Sequence, residues 1–135
     1  MTIFQQLSTQ HQRCDSELSA TEVAITKQQW SEASAAWSRF MAETERHFQL
    51  EELQLFPKLE AQIGSPMGPT AVMRHEHQQL RELLTEVTTL IAAQAREAAL
   101  GEIETVLVLL QQHNGKEESI LYPMADRFGI SLEVA

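Results

Sequence analysis

The chain is short of the residues that define several large classes of protein. Cys14 is the single cysteine among 135 residues, so an internal disulfide is excluded and a reducing compartment is the simple inference. The longest unbroken aliphatic run, residues 106–110, is far shorter than the roughly 20 residues of a membrane-spanning helix. The first ten residues, MTIFQQLSTQ, lack the basic start and apolar stretch of a secretory signal. We therefore expect a cytoplasmic protein with no membrane partner.

Basic residues are also few, and strand patterns are almost absent. Lysine and arginine number 10 against 19 acidic residues, for a formal net charge of −9. This charge repels a phosphate backbone, and no basic stripe offsets the repulsion, so we expect no nucleic-acid partner. A two-residue alternation appears only in the tail, residues 130–134, which we expect to fold back on the protein or to serve as a docking segment. The length fits a single domain covering residues 1–135.

What the chain does contain is one pattern twice, with a spacing of 66 residues. Each copy has a histidine, then 35 residues, then a segment of the form HxxxEExxL(F/Y)P. In the first copy His11 precedes HFQLEELQLFP, which begins at His47, and in the second His77 precedes HNGKEESILYP, which begins at His113. Duplicated helical hairpins usually pack around a pseudo-two-fold axis, so the repeat predicts a site with two similar halves.

Four segments carry core-type residues at the period of an α-helix. Their stripes cover residues 3–18, 37–55, 73–91 and 103–121. Short connections between neighbouring helices favour an antiparallel arrangement. The sequence therefore predicts an all-α protein, an antiparallel up-down-up-down four-helix bundle built from two duplicated helical hairpins.

The boundary between the two copies falls in the segment IGSPMGP. Gly64 can end a helix there, and Pro69 can occupy the first turn of the next, which places the internal repeats at about residues 3–60 and 69–126.

Weaker signals mark the turns inside each copy. These turns are predicted around residues 26–30 and 94–101. Pro57 and Pro123 lie near the ends of the second and fourth segments, where proline is expected to kink or terminate a helix.

Polar residues interrupt the apolar stripes at six matched positions. Residues four apart on a helix point the same way, so His47 lies above Glu51 and His113 above Glu117. Burial of these groups without partners would cost several kcal/mol for each charged group, and a domain of ordinary stability could not tolerate that. The predicted metal ligands are His11, His47, Glu51, His77, His113 and Glu117.

A pair of divalent metal ions would neutralise these groups, because carboxylates coordinate as anions and imidazoles as neutral donors. Donors of this kind without thiolate suit iron or manganese, with zinc as a further option. Two carboxylates are the right number to bridge two ions, so Glu51 and Glu117 are the predicted bridges, with two histidines on each ion. The alternative is a hydrogen-bonded polar core without metal, which six coordinated placements in a gapless repeat disfavour.

Helical angles also separate the ligands from their neighbours. His75 lies about 200° from His77 and is expected on the wet face. Glu52 and Glu118 lie about 100° past the predicted bridges, so they are expected beside the ligands or on the surface, and Glu118 is the stronger candidate of the two for a direct ligand. Cys14, one turn from His11, is expected to be a small buried hydrophobe, and the alternative is a position close enough to modulate the site. Five aromatic residues are expected to pack in the core and to make the pocket apolar, and these are Trp37, Phe40, Phe48, Phe56 and Tyr122.

On these residues the whole chain resembles a hemerythrin-like domain, also called the HHE cation-binding domain. The resemblance rests on His11, on HFQLEELQLFP, on MRHEHQQLRELL around His77, and on HNGKEESILYP. It implies a four-helix bundle that holds two iron ions in a non-haem di-iron centre, bridged by carboxylates and by an oxo or hydroxo species. Members of the family include dioxygen carriers, gas or redox sensors, iron-sensing domains and proteins that protect or repair iron centres.

The chain departs from the dioxygen carriers of that family. The carrier pattern includes a fifth histidine on the third helix, one turn from the other, where this chain has Met73 and Arg81. It also includes an aspartate on the fourth helix, where this chain has Glu118. The ExxH pairs of ferritin-like bundles and the HExxH pattern of zinc proteases are both absent. Four histidines and two glutamates would leave coordination positions open, which suits redox reactivity more than reversible carriage.

Two hypotheses from different classes follow. The first is a non-haem di-iron protein that binds or redox-processes a small ligand, namely dioxygen, nitric oxide or peroxide, with or without enzymatic turnover. The second is an iron- or redox-sensing or iron-supplying interaction module without turnover, which a protein partner would recognise.

Overall fold

A computed structural model describes residues 1–133, which contain helices and no strand. Two π-helical segments each join two α-helices without a break, so the chain forms four helical rods. The rods consist of α1 (Ile3–Thr26); α2 (Trp30–Leu50), π1 (Glu51–Leu55) and α3 (Phe56–Ile63); α4 (Pro69–Ala92); and α5 (Arg96–Lys116), π2 (Glu117–Leu121) and α6 (Tyr122–Arg127).

The packing of the rods is that of a helical bundle. Helix α1 packs against α2 and α5, and α4 packs against α5 and α2, so each long helix has two long neighbours. No helix within residues 1–133 is long and apolar enough to cross a membrane.

The turns show where the sequence analysis was accurate and where it was not. Gly64 ends α3 in a left-handed conformation, φ 82°, and Pro69 begins α4, as predicted. The turn predicted over residues 94–101 is too long, because α5 begins at Arg96 and Gly101 lies inside it. Only a short turn separates α4 from α5, with Gln94 at φ 53°.

The expectation that proline would kink or terminate the second and fourth rods is corrected. Pro57 and Pro123 are each the second residue of an α-helix that continues the rod. Proline has no N–H to donate and its ring clashes with the carbonyl four residues earlier in a regular α-helix. The wider turn of a π-helix precedes each proline, where Phe56 N–H donates to Glu51 O and Tyr122 N–H donates to Glu117 O.

Two apolar clusters fill the interior, one on each side of a polar layer. The larger cluster is built around buried residues such as Leu18, Trp37 and Val87. The smaller contains Leu7 and Phe56 and lies at the end where the rods carry their π segments. The six predicted ligands form the polar layer.

The tail folds back on the smaller apolar cluster as far as it is described. Ile130 and Leu132 pack against this cluster. Lys58 Nζ donates to the Ser131 carbonyl over 2.7 Å, and Glu133 N–H donates to Gln54 Oε1 over 2.8 Å. Position 134, the last of the predicted tail segment, lies outside the described residues.

Candidate metal centre

All six predicted ligand residues are buried and lie in two groups that share both glutamates. Within each group the ligand atoms lie within 4.8 Å of one another, close to the roughly 4.2 Å that separates two ligands on opposite sides of one ion. The groups are His11, His47, Glu51 and Glu117, and Glu51, His77, His113 and Glu117.

The first group brings together residues from three rods. Nε2 of His11 lies 3.1 Å from Nε2 of His47 and 3.1 Å from Oε1 of Glu117. Nε2 of His47 lies 3.4 Å from Oε1 of Glu51. One glutamate therefore comes from the same rod as His47, and the other from the opposite half of the chain.

The second group repeats this geometry with the roles of the glutamates exchanged. Nε2 of His77 lies 3.1 Å from Nε2 of His113 and 3.1 Å from Oε1 of Glu51. Nε2 of His113 lies 3.3 Å from Oε1 of Glu117. Each glutamate thus reaches a histidine of both groups, as bridging ligands would.

The outer nitrogens of two histidines face carboxylates across the bundle. Nδ1 of His11 lies 2.6 Å from Oε2 of Glu118, and Nδ1 of His77 lies 2.6 Å from Oε2 of Glu52. In each case the carboxylate belongs to the other half of the chain, so these contacts also tie the halves together.

The other two histidines have outer partners from their own half. Nδ1 of His47 lies 2.7 Å from Oε1 of Gln10, and Nδ1 of His113 lies 2.8 Å from Oε1 of Glu76. All four Nδ1 atoms therefore face an oxygen acceptor, which places the imidazole proton on Nδ1 and leaves a lone pair on Nε2. Such outer acceptors are typical of histidines that ligate metal through the other nitrogen.

The inner atoms of the cluster lack the positive charge that this arrangement requires. Paired Nε2 lone pairs 3.1 Å apart repel each other unless a cation or a proton lies between them. Oε1 of Glu51 and Oε2 of Glu117 are buried and accept no hydrogen bond. Unpaired buried carboxylate oxygens are strongly destabilising, so the donor set fits a pair of cations.

The pKa values show the same demand for positive charge. Burial alone would lower the pKa of His113, but the carboxylates of Glu117 and Glu51 outweigh it and raise the pKa to about 9. His47 is affected in the same way, and its pKa is well above the usual value. Burial alone would raise the pKa of Glu117, whereas its hydrogen-bonding partners, the neighbouring histidines among them, hold it well below the usual range. Metal ions can replace the protons that this cluster attracts.

Tyr122 packs in the smaller apolar cluster, as expected, and its hydroxyl also reaches the ligand residues, which the sequence analysis did not predict. Its hydroxyl donates to Oε2 of Glu51 over 2.5 Å and lies 3.0 Å from Oε1 of Glu117 and 3.1 Å from Nε2 of His11. Burial, followed by the charges of the two carboxylates, raises the pKa of the phenol well above its usual value. The hydroxyl therefore remains a proton donor inside the cluster.

The second group is closed by an aromatic ring and a guanidinium. The ring of Phe48 stacks on His77 with centroids 3.9 Å apart, and the Arg81 guanidinium lies 5.3 Å from the centroid of Phe48. Arg81 also donates to both oxygens of Glu52, over 2.8 and 3.0 Å. The carboxylate that orients His77 is thereby fixed from its outer side.

Two other residues near the cluster, His75 and Cys14, could in principle bind metal, and neither belongs to a ligand group. His75 is exposed, as its helical angle predicts, and Cys14 is buried, accepts a hydrogen bond from Thr44 and belongs to neither ligand group. Sequence reasoning missed Gln10 and Glu76 as partners of Nδ1 atoms. Both directly precede a ligand histidine of the repeat, which was a signal available in the sequence.

This site belongs to a protein of the hemerythrin class. The sequence matches the family described as Hemerythrin HHE cation binding domain over residues 2–125, nearly the whole chain. The chain therefore belongs to this family, and cation binding is the property that the family implies.

Three relatives carry no functional description. They are uncharacterized proteins, one from Mycobacterium bovis and two from Mycobacterium tuberculosis, and each is 35% identical to this chain over 83 residues. The matched segment is 57% of this chain and 32% of each relative, so the chain spans about a third of the length of the curated relatives that it matches. No solved structure matches the chain.

Proposed function

We propose that this protein is a non-haem di-iron protein that binds or redox-processes dioxygen, nitric oxide or peroxide. The observation that carries the proposal is the sharing of Glu51 and Glu117 by two histidine pairs. Two ions, each held by one pair, would satisfy the four Nε2 lone pairs and the unpaired carboxylate oxygens together. Manganese or zinc would fit the same donors, but only iron and manganese supply redox chemistry.

The arrangement of the halves supports a bundle of two duplicated, antiparallel hairpins. The bounds of α4, α5 and π2 follow those of α1, α2 and π1 by the same 66 residues that separate the sequence repeats. Short turns join α1 to α2 and α4 to α5, and each pair packs together, as in an up-down-up-down bundle. We treat the chain as one domain on this basis, and a cytoplasmic location agrees with its single, buried cysteine.

The residues around the cluster would prepare it for chemistry on a small ligand. Iron ions held by His11, His47, His77, His113, Glu51 and Glu117 would supply one-electron redox capacity and coordination positions for the ligand. Phe48 excludes water from one histidine pair by its stacking on His77. Tyr122 holds a proton at its hydroxyl oxygen, between the two carboxylates and the other pair, where it can donate a hydrogen bond.

Metal analysis joined to spectroscopy tests the proposal. Anaerobically purified protein is expected to hold two iron ions per chain and to develop visible charge-transfer bands on exposure to dioxygen. His77→Ala should lower the iron content, whereas the matched surface control His75→Ala should not. Protein that contains no stoichiometric metal, or equal losses in the two variants, would refute the proposal.

A sensing role is the second candidate, and the position of the polar layer favours it. The six ligands lie between the two apolar clusters, so loss of the ions would leave unpaired charges in the middle of the bundle. A metal-free form should therefore unfold at a lower temperature, because metal binding stabilises only the folded state. Thermal unfolding by circular dichroism with and without metal measures this, and equal midpoints would exclude metal-coupled sensing.

A further inference from the structure

A polar cavity of about 320 Å³ lies between α1 and α5 and leads to the first histidine pair. His11 is one of its lining residues, although this side chain is only 4% exposed. Asp15, Asn114 and Glu118 also line it. The cavity therefore connects the surface with one ligand of the buried cluster.

The charge of this cavity is negative. Asp15 and Glu118 contribute carboxylates, and its lining contains no lysine or arginine. At the matching position of the other half, Arg81 neutralises the carboxylate of Glu52 instead.

The side chain of Asn114 is an independent observation that points to a ligand at this place. Its side chain is 8% exposed, and Oδ1 is buried without a hydrogen-bond partner. An amide oxygen is an acceptor, and an unpaired buried acceptor is destabilising by about 1–3 kcal/mol. Phe48 occupies the matching position in the other half and closes it. A hydrated divalent cation can satisfy an amide oxygen in a cavity that two carboxylates also line.

We propose that Asp15, Asn114 and Glu118 form a transit site for divalent cations, through which metal ions reach and leave the His11–His47 pair. The inference rests on the proposed function, since it assigns the route by which that centre is loaded. Oxygen donors suit a hydrated divalent ion, and the cavity is several times larger than the roughly 30 Å³ occupied by one water molecule. Glu118 would release Nδ1 of His11 as it takes up the ion and bind it again after the ion has passed.

The test measures metal loading and metal loss in the full-length chain. Mn²⁺ uptake by chelator-treated protein and metal transfer from loaded protein to EDTA are timed for the wild type and for Asp15→Asn. Glu104→Gln is the matched control, because Glu104 is an exposed acid of α5 outside this cavity, and its change alters the net charge by the same amount. Asn114→Asp adds a carboxylate to the cavity and tests the opposite direction.

A transit site predicts that both rates change while the final content stays at two ions per chain. Asp15→Asn should slow loading and loss by roughly threefold or more, Asn114→Asp should speed loading, and Glu104→Gln should leave both rates near the wild type. If Asp15 merely supported the fold, its variant would lose metal faster. Wild-type rates in Asp15→Asn, or faster loss, would overturn the transit site. Failure of the wild type to bind two ions would overturn the proposed function as well.

Discussion

The two histidine pairs share the same two glutamates, Glu51 and Glu117, but differ in their other surroundings. The pair formed by His77 and His113 is covered by Phe48, and Arg81 lies over that ring. In the pair formed by His11 and His47, the ring of Tyr122 stacks on His11 at the longer centroid distance of 5.6 Å, and a polar cavity leads to that histidine. The hydroxyl of Tyr122 also lies on this side, within 3.1 Å of Nε2 of His11.

This difference teaches that the two matched copies of a sequence pattern can place equivalent histidine pairs in unequal surroundings. A closed, apolar environment with fixed outer carboxylates favours permanent retention of an ion. A position with a proton donor and a path to solvent favours exchange and reaction with small ligands. We therefore expect the His77–His113 pair to retain its ion and the His11–His47 pair to be the reactive one.

The largest effect on metal content should come from the loss of a glutamate that both histidine pairs share. Glu51→Ala deletes a carboxylate that both groups share, so metal content is expected to fall from two ions per chain to less than one. His11→Ala alters one group only and should leave about one ion, held by His77 and His113. Inductively coupled plasma analysis after gel filtration measures both contents. Equal metal content in the two variants would mean that Glu51 does not bridge.

A second comparison concerns the residues that follow His47 and His113. Phe48→Ala should lower the free energy of unfolding by about 3–5 kcal/mol, because it removes a buried ring stacked on His77. The matched change Asn114→Ala should cost about 1 kcal/mol or less, since Oδ1 of Asn114 has no partner to lose. Urea unfolding of the metal-loaded proteins measures both values, and similar losses would contradict the assigned asymmetry.

Helical spacing predicted that six polar side chains face the interior, and the structure buries all six because one face of each helix carries them. His75 and His77 could be separated by their angle alone, and the structure places one outside and the other in the cluster. The partners of the outer nitrogens were harder to predict. Glu118 meets His11 across 107 positions of sequence, and a single-helix pattern contains no information about such a contact.

The π-helical turns were also beyond the sequence analysis. Pro57 is incompatible with a regular α-helix, and the sequence analysis predicted that the helix would kink or end there. In the structure, the turn before the proline widens into a π-helix instead, and the rod continues. This continuation keeps Phe56 in the core and, in the other half, carries Tyr122 to the cluster. Two partners of the Tyr122 hydroxyl, Glu51 and His11, lie on other rods, and a single-helix pattern contains no information about such contacts.

A third prediction addresses the difference between Tyr122 and Phe56, which occupy matching positions. Tyr122→Phe should retain two ions and lower the free energy of unfolding by about 1–2 kcal/mol, because Glu51 loses its 2.5 Å hydrogen bond. It should also alter the spectrum of the iron protein with a small ligand, since the proton donor lies beside His11. An unchanged spectrum together with unchanged stability would place the hydroxyl outside the working site.

The smallest effect is expected at Arg81, which acts on His77 through Glu52 and through the ring of Phe48. Arg81→Gln should weaken metal retention by up to about tenfold, because Glu52 loses the partner that fixes it. The rate at which the ion held by His77 and His113 is transferred to a chelator measures this effect. Arg46→Gln serves as the control at an exposed arginine. If only the ion held by His11 and His47 were transferred faster, the retaining pair and the exchanging pair would have to be assigned the other way round.

The most direct test of two ions shared by two glutamates is an anomalous difference map from crystals of the iron-loaded protein. The account predicts two peaks, one between His11 and His47 and one between His77 and His113, each next to both Glu51 and Glu117. One peak, peaks outside these pairs, or histidine rings that hydrogen-bond to one another without metal would contradict it.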